Sequence, residues 1–275
     1  LVVAEAGTGT GKTLGYLAPA SLYAGESGGA VWISTFTRAL QRQLKAETAR
    51  SLPAETAAGG IIVRKGRENY LCLLNLEDAL QGGFAGRAAV FAELVARWAR
   101  FSRDGDMVGG DLPGWLPGLF RHKGALPALT DRRGECIHAA CPHYRRCFIE
   151  RSIRASAGAS LVIANHALVM ANAVRARNES RQLQRIVFDE GHHLHQAADS
   201  AFSLLLSGGE AIELRRWLVG PEAPKRRAGR RRGLAARLSD IAGSDEQTSM
   251  LLDELLHHAR TLPAGGWLAR IAADQ

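Results

Sequence analysis

Apolar residues in this chain recur in two rhythms. Short unbroken runs at Leu1–Ala4, at the front of Ala30–Leu44, at Ile61–Arg64, at Leu161–Ala164 and at Ile186–Phe188 have the length of strands buried on both faces of a parallel sheet. Elsewhere the spacing is helical: Leu14, Leu17, Ala18 and Leu22, then Phe84–Phe101, and later Gly209–Val219, Leu234–Ile241 and Ser249–Leu262. Strands alternating with helices predict an α/β fold around a parallel sheet. The strand signal lapses after Arg64 and returns only at Leu161, a longer interval than ordinary βα connections need. A largely helical insertion is expected there, too small to bury a large core of its own.

The first strand run leads into Glu5-Ala6-Gly7-Thr8-Gly9-Thr10-Gly11-Lys12-Thr13, followed by a helical pattern. Strand, glycine-rich loop and helix ending in Gly-Lys-Thr is the Walker A arrangement, with Ala6 at the first glycine position. The glycines let main-chain N–H groups turn onto phosphate oxygens at a helix N-terminus. ATP is the expected ligand of Ala6 to Thr13, with Lys12 on the β and γ phosphates and the Thr13 hydroxyl on Mg2+. The complementary carboxylates follow the last strand run, in Asp189-Glu190-Gly191-His192. Asp189 is expected to hold Mg2+ and Glu190 to orient and deprotonate water, with His192 also at the nucleotide. An acidic pair after a strand is also a common helix cap. His192, His193 and His195 could suggest zinc, but the HExxH spacing is absent.

The insertion carries every cysteine: Cys72, then Cys136, Cys141 and Cys147 within twelve residues. Four thiolates suit a 4Fe–4S cluster. Buried free cysteines, or zinc held by three cysteines with His138 or His143, fit the bare pattern as well.

Taken together, EAGTGTGKT and DEGH resemble the DinG branch of the XPD-type superfamily 2 DNA helicases. Ala30–Leu44 is similar to that family's motif Ia, with Thr35, Thr37 and Gln41 or Gln43 opening a helix, and Leu161–Val169 to its Asn-His-Ala-Leu segment. Hydroxyls at a helix start can hold phosphates without reading bases, or simply cap the helix. The segments around Cys72 and Cys136–Leu168 are similar to the family's cluster domain, which favours 4Fe–4S over zinc. The resemblance implies a RecA-like P-loop domain in two parts (1–66 and 158–200), an iron–sulfur lobe (67–157) and the start of a helical Arch (201–275). It implies ATP-driven 5′ to 3′ translocation on single-stranded DNA and unwinding of forked DNA in repair, with RNA–DNA hybrids as further candidate substrates. A monomer is expected. The family's adenine-reading segment and second RecA-like domain, with its arginine finger, have no counterpart in this sequence, so the chain alone is not expected to translocate. A zinc-stapled nucleic-acid-binding P-loop module without motor activity is the rival reading.

Charge sharpens the partner. The formal net charge is +8 in 275 residues, with 46% hydrophobic and 23% charged residues, which argues against wholesale disorder. The excess is local. Lys225–Arg232 holds six cations in eight residues, and Arg121–Arg154 holds eight against three acids, so the rest of the chain is acidic on balance. Backbone phosphates are the natural counterpart, although a solvated loop would also account for the first run. Tyr144 and Phe148 could stack on bases or pack around the cysteines. The one uncharged stretch of membrane length, Ala155–Val174, contains Ser156, Gly158, Ser160, Asn165, His166 and Asn172, five of them with polar side chains whose burial in lipid is unfavourable. No signal-peptide pattern opens the chain, so a cytoplasmic setting is expected, where thiols stay reduced.

Overall fold

The computed structural model describes residues 1–7, 11–51, 60–120, 125–132, 136–176, 185–204, 207–220, 233–234, 236–238 and 245–267. In chain order these form α1 (Lys12–Ser27), β1 (Val31–Thr35), α2 (Arg38–Ser51), β2 (Ile61–Val63), α3 (Leu73–Asp78), α4 (Arg87–Ala99), α5 (Trp115–Phe120) and α6 (Ala125–Ala128). There follow α7 (Phe148–Ala157), β3 (Leu161–Asn165), α8 (His166–Ala176), β4 (Ile186–Phe188), α9 (Leu194–Phe202), α10 (Gly208–Val219) and α11 (Glu246–Ala259). Contacts divide the chain into Leu1–Gly66 with Glu150–Ser203, and Arg67–Ile149 with Leu204–Gln275.

The first unit is built on a parallel sheet ordered β2-β3-β1-β4. All five residues of β1 are buried, as expected for a strand covered on both faces. Period-two alternation sends Val31 and Ile33 toward Leu17, Ala20 and Ala24 of α1, together with Leu161 and Ile163. Trp32 goes to the opposite layer with Val162, Ala164 and Val169. Each such large side chain removed from water contributes roughly 1.5–3 kcal/mol. The layering brings the C-terminal ends of β1, β3 and β4 side by side, the edge at which parallel sheets bind ligands.

One expected strand is missing. Leu1, Val2 and Val3 are almost fully exposed and form no strand, so Leu1–Ala4 is not part of the sheet. An apolar run becomes a strand only where a neighbour offers its hydrogen-bonding edge, and no described strand pairs with it.

In the second unit, α4 buries Ala88, Phe91, Ala92 and Val95, and Leu71 and Leu129 are also fully buried. Antiparallel bridges join Tyr70 to Asp106 and Leu71 to Thr130. Phe148 is only 5% exposed, and a Cβ at Gly105, whose φ is +65°, would fall inside its ring. This overturns base stacking by Phe148, because the ring is committed to the interior of the lobe. Arg67 Nε donates to Asp131 Oδ2 at 2.7 Å. Arg237, 7% exposed, donates to Asn75 Oδ1 at 3.0 Å and to Asp78 Oδ2 at 3.2 Å. Among the described residues no helix is long and apolar enough to cross a membrane, and Ala155–Val174 is divided among α7, β3 and α8.

Candidate functional site

Gly11 adopts the left-handed conformation (φ 73°) immediately before α1, a geometry glycine takes without a Cβ penalty. It places Lys12 at the first position of the helix. Lys12 Nζ donates to Glu190 Oε1 at 2.8 Å, so the loop lysine and the acidic pair, 178 positions apart, converge. The bond to Glu190 raises the Lys12 pKa, and the bond from Lys12 lowers that of Glu190. Both partners remain about one-third solvent-exposed, so the pair is open to exchange with an incoming anion. Ala6 and Gly7 are exposed, and Thr8, Gly9 and Thr10 lie outside the described residues.

Asp189 follows β4, and its N–H donates to the Ser34 carbonyl at 2.8 Å, which continues the β1–β4 ladder into the acidic turn. Glu190 then has φ 57° and ψ 47°. A non-glycine residue in this region stores about 1–3 kcal/mol of strain, characteristic of functional turns. His192 Nδ1 lies 3.5 Å from Glu190 Oε2, so the imidazole borders the carboxylate as the motif suggests. Tyr16, one helical turn beyond Thr13, brings its hydroxyl near both Thr13 and Asp189. It completes no well-formed hydrogen bond there. Burial and the Asp189 charge push its ionisation above the ordinary phenol range. The two residues expected to hold Mg2+ therefore face one polar spot. An oxygen set of hydroxyl and carboxylate suits that hard cation.

Thr35, which ends β1, and Thr37, which follows it, each make a hydrogen bond within the first unit. Thr35 is fully buried and its Oγ1 donates to Asp189 Oδ2 at 3.4 Å, while Thr37 Oγ1 accepts from the Leu40 N–H at 3.2 Å as a cap of α2. The Thr35 hydroxyl is thus spent on Asp189, whereas Thr37, as an acceptor in its cap, keeps its O–H to donate. Gln41 is buried, and Gln43 donates to Glu47.

The four cysteines are free thiols, each partly buried. Cys147 bears electrostatically on Cys72, Cys136 and Cys141, and all three have raised pKa values, led by burial; for Cys72 the value is about 12. They are neighbours, but among the described residues no three His, Cys, Asp or Glu side chains form a metal-holding group. Positive charge stands beside two of them, since Arg67 and Arg237 favour the thiolates of Cys136 and Cys141 respectively. His143 Nε2 pairs with Glu77 Oε2 at 2.8 Å, and His138 is exposed. Arg145 and Arg146 are also exposed; Arg121, Lys123, Arg133 and Lys225–Arg232 lie outside the described residues.

Tyr16 and a buried hydrogen bond between Ser34 Oγ and His166 Nδ1, 2.7 Å long, escaped the sequence reading. For Tyr16 a signal existed, its i+3 spacing from Thr13 on a helix. For Ser34 the only hint was a hydroxyl that, with Thr35, ends an apolar strand.

Over 223 residues the chain is 34% identical to the ATP-dependent DNA helicase YoaA of Haemophilus influenzae, covering 78% of this chain and 33% of that protein. The match to YoaA of Escherichia coli is 35% over 228 residues, with the same two coverages. To the ATP-dependent helicase DinG of Mycobacterium tuberculosis it is 31% over 252 residues, covering 82% of this chain and 36% of the relative. The chain is DinG-like. No family profile matches it. This DinG-like chain spans about a third of the length of the curated relatives it matches.

Proposed function

We propose that this chain supplies the nucleotide-binding half of an ATP-dependent DNA helicase, a RecA-like domain interrupted by an iron–sulfur lobe and followed by the beginning of an Arch. The observation that carries the reading is the 2.8 Å pair between Lys12 and Glu190. It brings a phosphate-binding lysine and a candidate base together at the carboxyl edge of a parallel sheet. Arriving ATP would draw Lys12 onto its β and γ phosphates and leave Glu190 free. Glu190 would then accept a proton from the attacking water as the bond between the γ-phosphorus and ADP breaks. Thr13 and Asp189 would hold Mg2+, which neutralises phosphate charge.

Cys72, Cys136, Cys141 and Cys147 are proposed to hold a 4Fe–4S cluster. Four free thiols in one lobe support that set, and the resemblance to the family's cluster domain favours iron–sulfur over zinc. When bound, the cluster would staple the lobe. The partners proposed are single-stranded and forked DNA, by resemblance in the 5′ to 3′ direction, with RNA–DNA hybrids to be tested alongside.

The test uses the full-length protein. Lys12→Ala should abolish ATP hydrolysis stimulated by single-stranded DNA, and surviving hydrolysis would show the site to be misassigned. Purified protein should be brown, with about four iron and four sulfide per chain, whereas zinc without iron would support the zinc-stapled module. Cys141→Ser should lose iron and unwinding while retaining nucleotide binding.

A further inference from the structure

His166 opens α8 directly after β3 and is 1% exposed. Its Nδ1 is hydrogen-bonded to Ser34 Oγ at 2.7 Å, a fully buried contact between residues 132 positions apart. The ring lies between Phe36 and Phe188, with centroids at 6.5 and 6.0 Å, so the ends of β1 and β4 both border it. Phe36 in turn stacks on His193 at 3.7 Å, on the far side of the acidic turn. The main chain of Asp189 and Glu190 also lies beside the ring, yet Nε2 has no well-formed partner. A buried nitrogen left without a partner costs about 1–3 kcal/mol, so the arrangement calls for a compensating role. The only strained non-glycine residue of the first unit, among those described, is Glu190, in the same turn.

We propose that His166 is a positioning residue. Anchored to β1 through Ser34, it presents Nε2 to the Asp189–Glu190 main chain and thereby sets where the Glu190 carboxylate points. β1 runs directly into Thr37 and α2, the segment that resembles a DNA-contacting motif. A shift of that segment on DNA would reach Glu190 through Ser34 and His166, without either side chain touching nucleotide. The inference rests on the reading of Glu190 as the base of ATP hydrolysis and adds the element that couples it to the rest of the sheet.

The experiment uses full-length protein with ATP, Mg2+ and single-stranded DNA, comparing wild type with Ser34→Ala, His166→Ala, the double variant and Ser34→Thr. For Ser34→Ala, which removes one hydroxyl, the melting temperature serves as the folding control. A shared path predicts that each single variant lowers DNA-stimulated kcat about tenfold with KM for ATP held within about twofold, and that the double variant is no worse than either single. Ser34→Thr, which keeps the hydroxyl, should recover most of the rate. Multiplicative losses in the double variant, or a change confined to KM, would overturn the role of His166 while leaving the ATPase reading intact. Absence of hydrolysis in the wild type would instead overturn the ATPase reading, and the positioning role with it.

Discussion

At the scale of single residues, the site turns on Glu190, which is both strained and paired with Lys12. Its two properties are separable. Glu190→Gln keeps the side-chain shape but removes the proposed base and weakens the hold on Lys12. Hydrolysis should fall by about 10²-fold or more while affinity for a fluorescent ATP analogue rises, because the lysine no longer leaves a carboxylate to meet the phosphates. Glu190→Gly should abolish hydrolysis and raise the melting temperature, since glycine occupies the left-handed region without the strain of about 1–3 kcal/mol. A lowered melting temperature would mean that the Lys12 contact outweighs the backbone. The convergence of Lys12 with the acidic turn was foreseeable in the sequence, because phosphate chemistry restricts which residue types can stand there and in what order. The contacts of Tyr16, Ser34 and His166 were not, although Tyr16 stands at helical spacing from Thr13 and His166 lies in the Asn-His-Ala-Leu segment. Their roles arise from packing between distant segments, and a buried histidine beside a strand looks the same in sequence whether it is a satisfied core residue or a positioning group.

At the scale of elements, β1 to β4 and the helices α1, α4, α10 and α11 followed from hydrophobic period, while most of Leu234–Ile241 lies outside the described residues. Leu1–Ala4 did not become a strand, because pairing is a property of neighbours and not of composition. The caps of the last two helices show where local chemistry is sufficient. Ser207 and Glu210 form a reciprocal capping box at α10, and the Asp245 carboxylate accepts from the Thr248 N–H at 3.1 Å to open α11. Hydrogen bonds with Ser207 lower the pKa of Glu210, and hydrogen bonds from Thr248 lower that of Asp245. A carboxylate with a depressed folded pKa stabilises above its unfolded value and loses that contribution as pH falls through the folded one. The cap contribution should therefore be complete above pH 4.5, the ordinary value for Glu210, and disappear in more acidic solution. Ser207→Ala should cost about 1 kcal/mol at neutral pH in chemical denaturation, and the difference from wild type should shrink under acid. In the cysteine lobe, Gly105→Ala would force a methyl group into the Phe148 ring at a positive φ, with a loss of about 1–3 kcal/mol. The iron content of that variant would then report how far the lobe's packing holds the thiols in place.

At the scale of the whole molecule, the +8 charge is concentrated enough to be tested as a binding determinant. Lys225–Arg232 alone carries six cations, no acid and no apolar residue larger than alanine, so it brings charge with little capacity to pack. If it contacts DNA, the contact is with phosphates, and its signature is release of counterions. For single strands each neutralised phosphate contributes about 0.7 to the slope of log affinity against log salt, so six contacts would contribute about four. Replacing the six cations with serine in the full-length protein should flatten the slope by up to about four and weaken binding most at low salt, equally for unrelated sequences. ATP hydrolysis without DNA should remain at the wild-type rate, because none of the residues proposed to hold nucleotide belongs to this segment. An unchanged slope would assign these cations to a solvated loop and leave the arginines on the cysteine lobe, Arg145 and Arg146 among them, as the remaining cluster able to attract a phosphate backbone. The slope separates the two outcomes where a single affinity would not, since loss of a few nonspecific contacts and partial misfolding can produce the same dissociation constant at one salt concentration.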